Sequence, residues 1–161
     1  MRKSANELAA EIEATMGESW LPRVYRDRIM EMRTRSYEFP ALPKNATPHI
    51  HHTLLGIELK VGRRRMLCPD LATARYLSVF ARIGSKAVAI PYDITKISQV
   101  ADELESSWHR MLLLADQGGS AQSFRGRLRR LLIDRVRNQI AKAGAGAAAP
   151  EFSRTTKQRQ R

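Results

Sequence analysis

The stretch from residue 50 to residue 93 constrains the fold most, because its apolar pattern changes from strand to helix and back. "HTLLGIELKV" is rich in apolar and β-branched residues, and "RRRMLCP" after Gly62 predicts a short hairpin partner for it. Asp70 can cap a helix with one apolar face that ends at Gly84. "KAVAIPY" is a continuous apolar run, typical of a strand buried on both faces. This order of elements predicts an α/β core.

Helices are predicted before this block. Ser4 to Glu7 forms a capping box for a first helix that ends at Gly17. A second helix is expected to start near Pro22 and to include Met32, with arginines between its apolar positions. The following stretch, "EFPALPKNATPH", contains three prolines and predicts an extended connection.

Two long amphipathic patterns follow the block. Each repeats apolar residues at steps of three and four, which predicts a pair of helices with facing apolar seams. These helices could form a hairpin within one chain, or they could pair with a second chain or a partner protein. The last residues lack apolar periodicity and predict a flexible basic tail. The expected organisation is an α/β core at 1–93, a helical hairpin at 94–142 and the tail at 143–161.

Charge is the strongest global signal of function. The chain holds 28 Lys and Arg against 16 Asp and Glu, a formal net charge of +12. Residues 119–161 alone hold 11 basic and 2 acidic side chains. Such concentration favours a polyanion partner, because Lys and Arg that neutralise phosphates release condensed counterions. A basic surface that serves only solubility is the alternative.

Membrane and disulfide signals are both missing from the sequence. No apolar run reaches the roughly 18 residues that a membrane span needs, and the first residues predict a polar helix in place of a signal peptide. We therefore expect no membrane partner and a cytoplasmic or nucleoid-associated protein. The one cysteine, Cys68, has no second thiol to pair with and is expected to be a small buried residue.

Glu58 and Lys60 stand two apart in the predicted strand, just before Arg63, Arg64 and Arg65. Side chains alternate along a strand, so this glutamate and lysine are expected to share one face. With its flanking helices and strands, "GIELKVGRRRMLCPDLATARYLSVFARIGSKAVAIPYD" resembles the PD-(D/E)XK nuclease superfamily. In pattern it is most similar to the archaeal Holliday-junction resolvases. The resemblance covers the block well, the first helix loosely and nothing after residue 94.

The resemblance implies a restriction-endonuclease-like mixed sheet flanked by helices, and a Mg²⁺ ion held by Glu58. Lys60 would orient the attacking water or stabilise charge on the phosphate. A second carboxylate is needed on the preceding strand, yet no Asp or Glu lies between Glu38 and Glu58. Asn45 stands about where the family places its aspartate, and Glu7 or Glu38 could supply a third group. The missing acid predicts a core whose catalysis is degenerate.

Three functions remain open at this point. The leading one is nucleic-acid binding through phosphate contacts, without a distinction between DNA and RNA. The expected contacts are Arg63, Arg64, Arg65, Arg125, Arg127, Arg129, Arg130, Arg135 and Arg137. A Mg²⁺-dependent endonuclease acting on structured DNA is the first alternative, and a subunit of a ribonucleoprotein or other nucleic-acid assembly is the second. Glu58 and Lys60 could also be an ordinary polar sheet surface, and His49, His51 and Cys68 could be imagined as zinc ligands.

Overall fold

Helix α1 (Ala5–Met16) opens the computed structural model, which describes residues 3–43 and 46–146. The helix begins as its capping box predicts. The Ser4 hydroxyl accepts a hydrogen bond from the Glu7 N–H, and the Glu7 carboxylate accepts one from the Ser4 N–H, each at 3.1 Å. One side of α1 is buried against the core, as its apolar spacing requires.

The second helix is shorter than the sequence predicts. Helix α2 (Leu21–Val24) passes into a π-helical turn (Tyr25–Ile29), and the chain then forms strand β1 (Thr34–Glu38). The expectation of a helix that includes Met32 is therefore wrong. Strand β1 is stabilised by pairing with a strand far along the chain, β5 (Ala87–Pro91). The local sequence around β1 does not predict this pairing.

The strands form two antiparallel sheets. One contains β1 and β5, and the other has the order β2-β3-β4, with β2 (His49–Thr53), β3 (Gly56–Val61) and β4 (Arg64–Cys68). Every strand pair in the described part of the chain is antiparallel. The α/β class is thus confirmed, whereas the single mixed sheet is a wrong prediction for these residues.

Two tyrosines bond to the edge of β5 that faces away from β1. The Ala89 N–H donates a hydrogen bond to the Tyr25 hydroxyl at 2.8 Å, and the Tyr76 hydroxyl donates one to the Ala89 carbonyl. Burial raises the pKa of Tyr76 well above its ordinary value, so this hydroxyl keeps the proton that it donates. With β1 on one edge of β5, the two hydroxyls bond the N–H and the carbonyl of Ala89 on the other.

Helix α3 (Leu71–Ile83) covers the inner face of the three-stranded sheet. The Asp70 carboxylate caps its first turn at 2.7 Å, and Gly84, with φ of 87°, ends it, both as the sequence predicts. Leu59 is fully buried in this layer. Cys68 is buried as well, which confirms the expectation for the lone cysteine.

Helices α4 (Ile94–Asp116) and α5 (Gln122–Ala143) are the two long helices that the sequence predicts. The apolar residues that repeat at steps of three and four in these helices are largely buried. Ile94, the first residue of α4, is exposed. Helix α4 packs mainly on α3 and α5 mainly on α1, and both contribute to the same apolar cluster as the strands. Most of the predicted tail, residues 147–161, lies outside the described residues. None of the helices described has the length and apolar character needed to cross a bilayer.

Candidate nucleic-acid interface

Strand β3 presents opposite chemistry on its two faces. Leu59 and Val61 are buried against the helical layer, whereas Glu58 and Lys60 alternate with them and are only partly covered. The alternation predicts that this glutamate and lysine share a face of a central strand, and the position of β3 between β2 and β4 confirms it.

The neighbouring strands extend this face sideways. Glu58 lies between His51 of β2 and Leu67 of β4, and Lys60 lies between His49 and Arg65. All four neighbours are exposed. We call this surface the outer sheet face, and it consists of His49, His51, Glu58, Lys60, Arg65 and Leu67. It carries one carboxylate against two permanent cations and two imidazoles.

The carboxylate of the outer sheet face is already paired. Glu58 Oε1 lies 3.8 Å from Arg65 Nε, a cation that would compete with any metal ion for this carboxylate. Lys60 forms no ion pair with any residue that the structure describes. At 3.8 Å this pair is a Coulombic contact and not a hydrogen bond, so Glu58 attracts Arg65 only weakly.

Glu7 and Glu38, two of the other groups expected at a Mg²⁺ site, are engaged elsewhere. Glu7 is engaged in the α1 capping box, where the hydrogen bond from the Ser4 backbone lowers the pKa of the Glu7 carboxyl. Glu38 belongs to the other sheet, and Asn45 lies outside the described residues. Within residues 3–43 and 46–146, no three His, Cys, Asp or Glu side chains are grouped as metal ligands. The arrangement does not fit a carboxylate-bound Mg²⁺ ion.

A zinc site at the histidines is not formed either. His49 and His51 lie on the outer sheet face with ring centroids 6.3 Å apart. Cys68 pairs with Ile57, whose side chain shares the inner face of β3 with the buried Leu59, so the thiol points to the opposite side. Two imidazoles without further ligands do not make a structural zinc site.

The arginines after β3 form an exposed corner. Gly62, with φ of 60°, turns the chain, Arg63 completes the turn and Arg64 and Arg65 begin β4. All three arginines are exposed. A side chain at position 62 would collide with Pro43, because a Cβ there would lie 2.6 Å from the Pro43 ring. The turn that presents these arginines therefore depends on glycine.

Four of the six arginines predicted to line α5 hold contacts within the protein. Arg125 donates to the Gly119 and Ser120 carbonyls, Arg129 pairs with Asp116, Arg135 with Glu13, and Arg137 with Asp134 and the Ile83 carbonyl. The exposed Arg127 and Arg130 form no hydrogen bond or ion pair with the described residues. On α5, these two arginines are the ones that a phosphate can reach without breaking an existing contact.

The histidines of β2 are surface residues whose position beside the Glu-x-Lys pair was not predicted. The sequence pattern suggests only a zinc-ligand role for them, although they flank Glu58 and Lys60 across the strand pair. The two-residue loop Leu54-Leu55 sets this register, and counting outward from it would have placed His51 opposite Glu58.

Comparisons of this chain with protein-family models, with curated proteins and with solved structures give no match. The resemblance of residues 56–93 to the PD-(D/E)XK superfamily stays a prediction.

Proposed function

We propose that the protein binds nucleic acid through phosphate contacts and does not cleave it. The observation that supports this most is the outer sheet face together with the exposed corner beside it. Lys60 of that face and Arg63 of the turn are available for phosphates there, and the one carboxylate lies beside Arg65. Contacts of this kind position a protein on a phosphate backbone without reading its sequence.

The charge of the whole chain supports the same proposal. A net charge of +12 attracts a polyanion over a distance of about 10 Å at moderate salt. Arg127 and Arg130 add two exposed cations on α5. The interior of the three-stranded sheet plays no part in binding, since its inner face is filled by α3.

Equilibrium binding across a salt series tests the proposal. Fluorescently labelled duplex DNA, single-stranded DNA and RNA of equal length should all bind. On duplex, a plot of log affinity against log salt concentration should have a slope of about −0.9 for each contacted phosphate. The double variant Lys60→Gln with Arg63→Gln should reduce the steepness of that dependence by up to about 1.8. A charge-matched control, Lys96→Gln with Arg110→Gln, changes two exposed residues of α4 and should leave the slope near its original value.

Two results would contradict the proposal. One is equal weakening by both double variants, which would mean that only net charge matters. The other is cleavage of labelled DNA in Mg²⁺ that Glu58→Gln abolishes without abolishing binding. That result would favour a nuclease function.

Exposed leucines favour a second candidate function, a subunit of a nucleic-acid assembly with a protein partner. Leu54 and Leu55 form the tip of the β2-β3 hairpin and are 105% and 86% exposed. Leu67 continues this apolar surface on the outer sheet face at 65%. If Leu54→Ser with Leu55→Ser leaves nucleic-acid affinity unchanged but abolishes retention of a protein partner from the native host, the assembly role stands beside the binding role.

A further inference from the structure

A small pocket lies where the start of β2 meets α3 and α4. Its volume is about 260 Å³, below the range of about 300–1,000 Å³ that drug-sized ligands occupy. Trp108 and Val79 contribute buried apolar walls, at 7% and 3% exposure. A pocket of this size suits a small ion and not a whole nucleotide.

Three residues with nitrogen-bearing side chains border this pocket from three different elements. They are His49 of β2, Arg82 of α3 and His109 of α4, and all three are exposed to an incoming ligand. Arg82 makes no ion pair or hydrogen bond with another described residue. Its guanidinium can therefore turn to an anion without losing a contact, and its fork suits phosphate oxygens.

The open edge of β2 adds a backbone donor. Thr53 and Gly56 close a two-residue hairpin, so hydrogen-bonded pairs recur at His51 and His49. The N–H of Ile50 consequently points away from β3, at the edge of the sheet and beside the pocket. No described group accepts a hydrogen bond from it. A backbone N–H and a guanidinium together are a recurrent means of holding an oxyanion.

Glu105, the acidic residue in the pocket wall, is bound to an arginine. It accepts hydrogen bonds from Arg75 at 3.2 Å and 2.6 Å, one at each carboxylate oxygen. Arg75 also donates to Asp102, and these hydrogen bonds raise the pKa of Arg75. Arg75 is shared by two carboxylates and offsets the charge of one of them, so Arg82 is the group in the pocket wall that attracts an anion.

We propose that this pocket binds a phosphate monoester, the group found at the end of a nucleic-acid strand. This inference rests on the proposed function, because His49 belongs both to the pocket and to the outer sheet face. His49, at the edge of β2, is the residue through which the pocket adjoins the outer sheet face. A terminal phosphate offers more free oxygens to Arg82 and the Ile50 N–H than an internal phosphate, which carries a sugar on each side.

Tryptophan fluorescence reports occupancy of the pocket by phosphate itself. Trp108 lines the pocket, whereas Trp20 is buried elsewhere and donates to Gln139. Titration with inorganic phosphate should give a saturable change that Arg82→Gln weakens about tenfold or more, as expected for loss of a charged hydrogen bond. His109→Asn is the second variant, and Arg127→Gln is the control that should not alter the phosphate response.

Oligonucleotides then identify the source of the phosphate. A 5′-phosphorylated single strand should bind at least about fivefold more tightly than the same strand with a 5′-hydroxyl, and a 3′-phosphorylated strand shows which end is preferred. Arg82→Gln should remove this difference and leave the affinity of the hydroxyl strand near its original value. Arg127→Gln should weaken all strands equally.

Failure of the pocket inference and failure of the proposed function give different results in these experiments. If wild-type protein shows no saturable phosphate response and no preference for a phosphorylated end, the pocket inference is overturned while phosphate-backbone binding stands. Equal weakening of all strands by Arg82→Gln also overturns it, since Arg82 would then be an ordinary backbone contact. If inorganic phosphate saturates the pocket but no oligonucleotide binds, the proposed function fails and the assignment to a strand end fails with it.

Discussion

Replacing Glu58 by glutamine separates a binding surface from a nuclease centre. In the structure, Glu58 Oε1 lies 3.8 Å from Arg65 Nε, and Arg65 is 64% exposed. Two unit charges about 4 Å apart in water interact by about 1 kcal/mol. If nucleic acid uses Arg65, Glu58→Gln should strengthen binding by up to that amount, or about fivefold, because the arginine no longer shares its charge.

The salt dependence should change in the same variant. If Arg65 becomes free to contact a phosphate, binding releases up to one more counterion. The slope of log affinity against log salt concentration on duplex should then steepen by up to about 0.9. Both effects should shrink at high salt, since the residues are exposed to solvent. Fluorescence anisotropy from low to moderate salt measures affinity and slope together.

The control removes the same charge in a similar pair elsewhere. Glu103 pairs with Arg28 at 2.8 Å, away from the outer sheet face, and Glu103→Gln gives the protein the same net charge as Glu58→Gln. If only Glu58→Gln increases the affinity for nucleic acid, the result supports a phosphate contact by Arg65. Equal gains would show that only total charge counts, and weaker binding by Glu58→Gln would refute the reasoning outright.

Three further predictions concern the core that positions these surfaces. Tyr25→Phe leaves the Ala89 N–H buried without a partner and should cost about 1–3 kcal/mol in urea unfolding; a loss below about 0.5 kcal/mol would contradict this account of β5. Gly84→Ala should lower stability by about 1–2 kcal/mol, because φ is 87° and a Cβ would lie 3.1 Å from Arg137 Nε; an unchanged melting temperature would speak against it. Burial raises the pKa of the Cys68 thiol, so at pH 8 it should react with iodoacetamide much more slowly than in urea. Equal rates in both conditions would show that the thiol is accessible.

The elements that could be predicted from sequence are those with local signals. Asp70 and Gly84 mark the ends of α3 with a side-chain cap and a left-handed residue, so neighbouring residues determine both ends. The alternation of Glu58 and Lys60 likewise needs only the period of a strand. Strand β1 could not be predicted in this way, because its conformation depends on hydrogen bonds to β5.

The chemistry of the surface was harder to predict for the same reason. Arg129 and Arg135 look equivalent along the α5 sequence, yet Asp116 and Glu13 reach them from two other helices. The pairing of Glu58 with Arg65 depends on the register of a hairpin. Charge counts therefore overestimate how many arginines are available to a phosphate, and the tertiary structure decides which ones remain.

The Glu-x-Lys pattern itself has a sufficient explanation in the fold. The three-stranded sheet is covered by α3 on its inner face, so β3 must place apolar side chains at Leu59 and Val61 and polar ones between them. An acidic and a basic residue at the two polar positions satisfy this requirement without any catalytic role. A metal centre would need a further carboxylate aimed at the same face, and the residues that flank Glu58 there are His51 and Leu67. The outer sheet face supplies cations beside an open edge, and this supports the proposal of phosphate binding without cleavage.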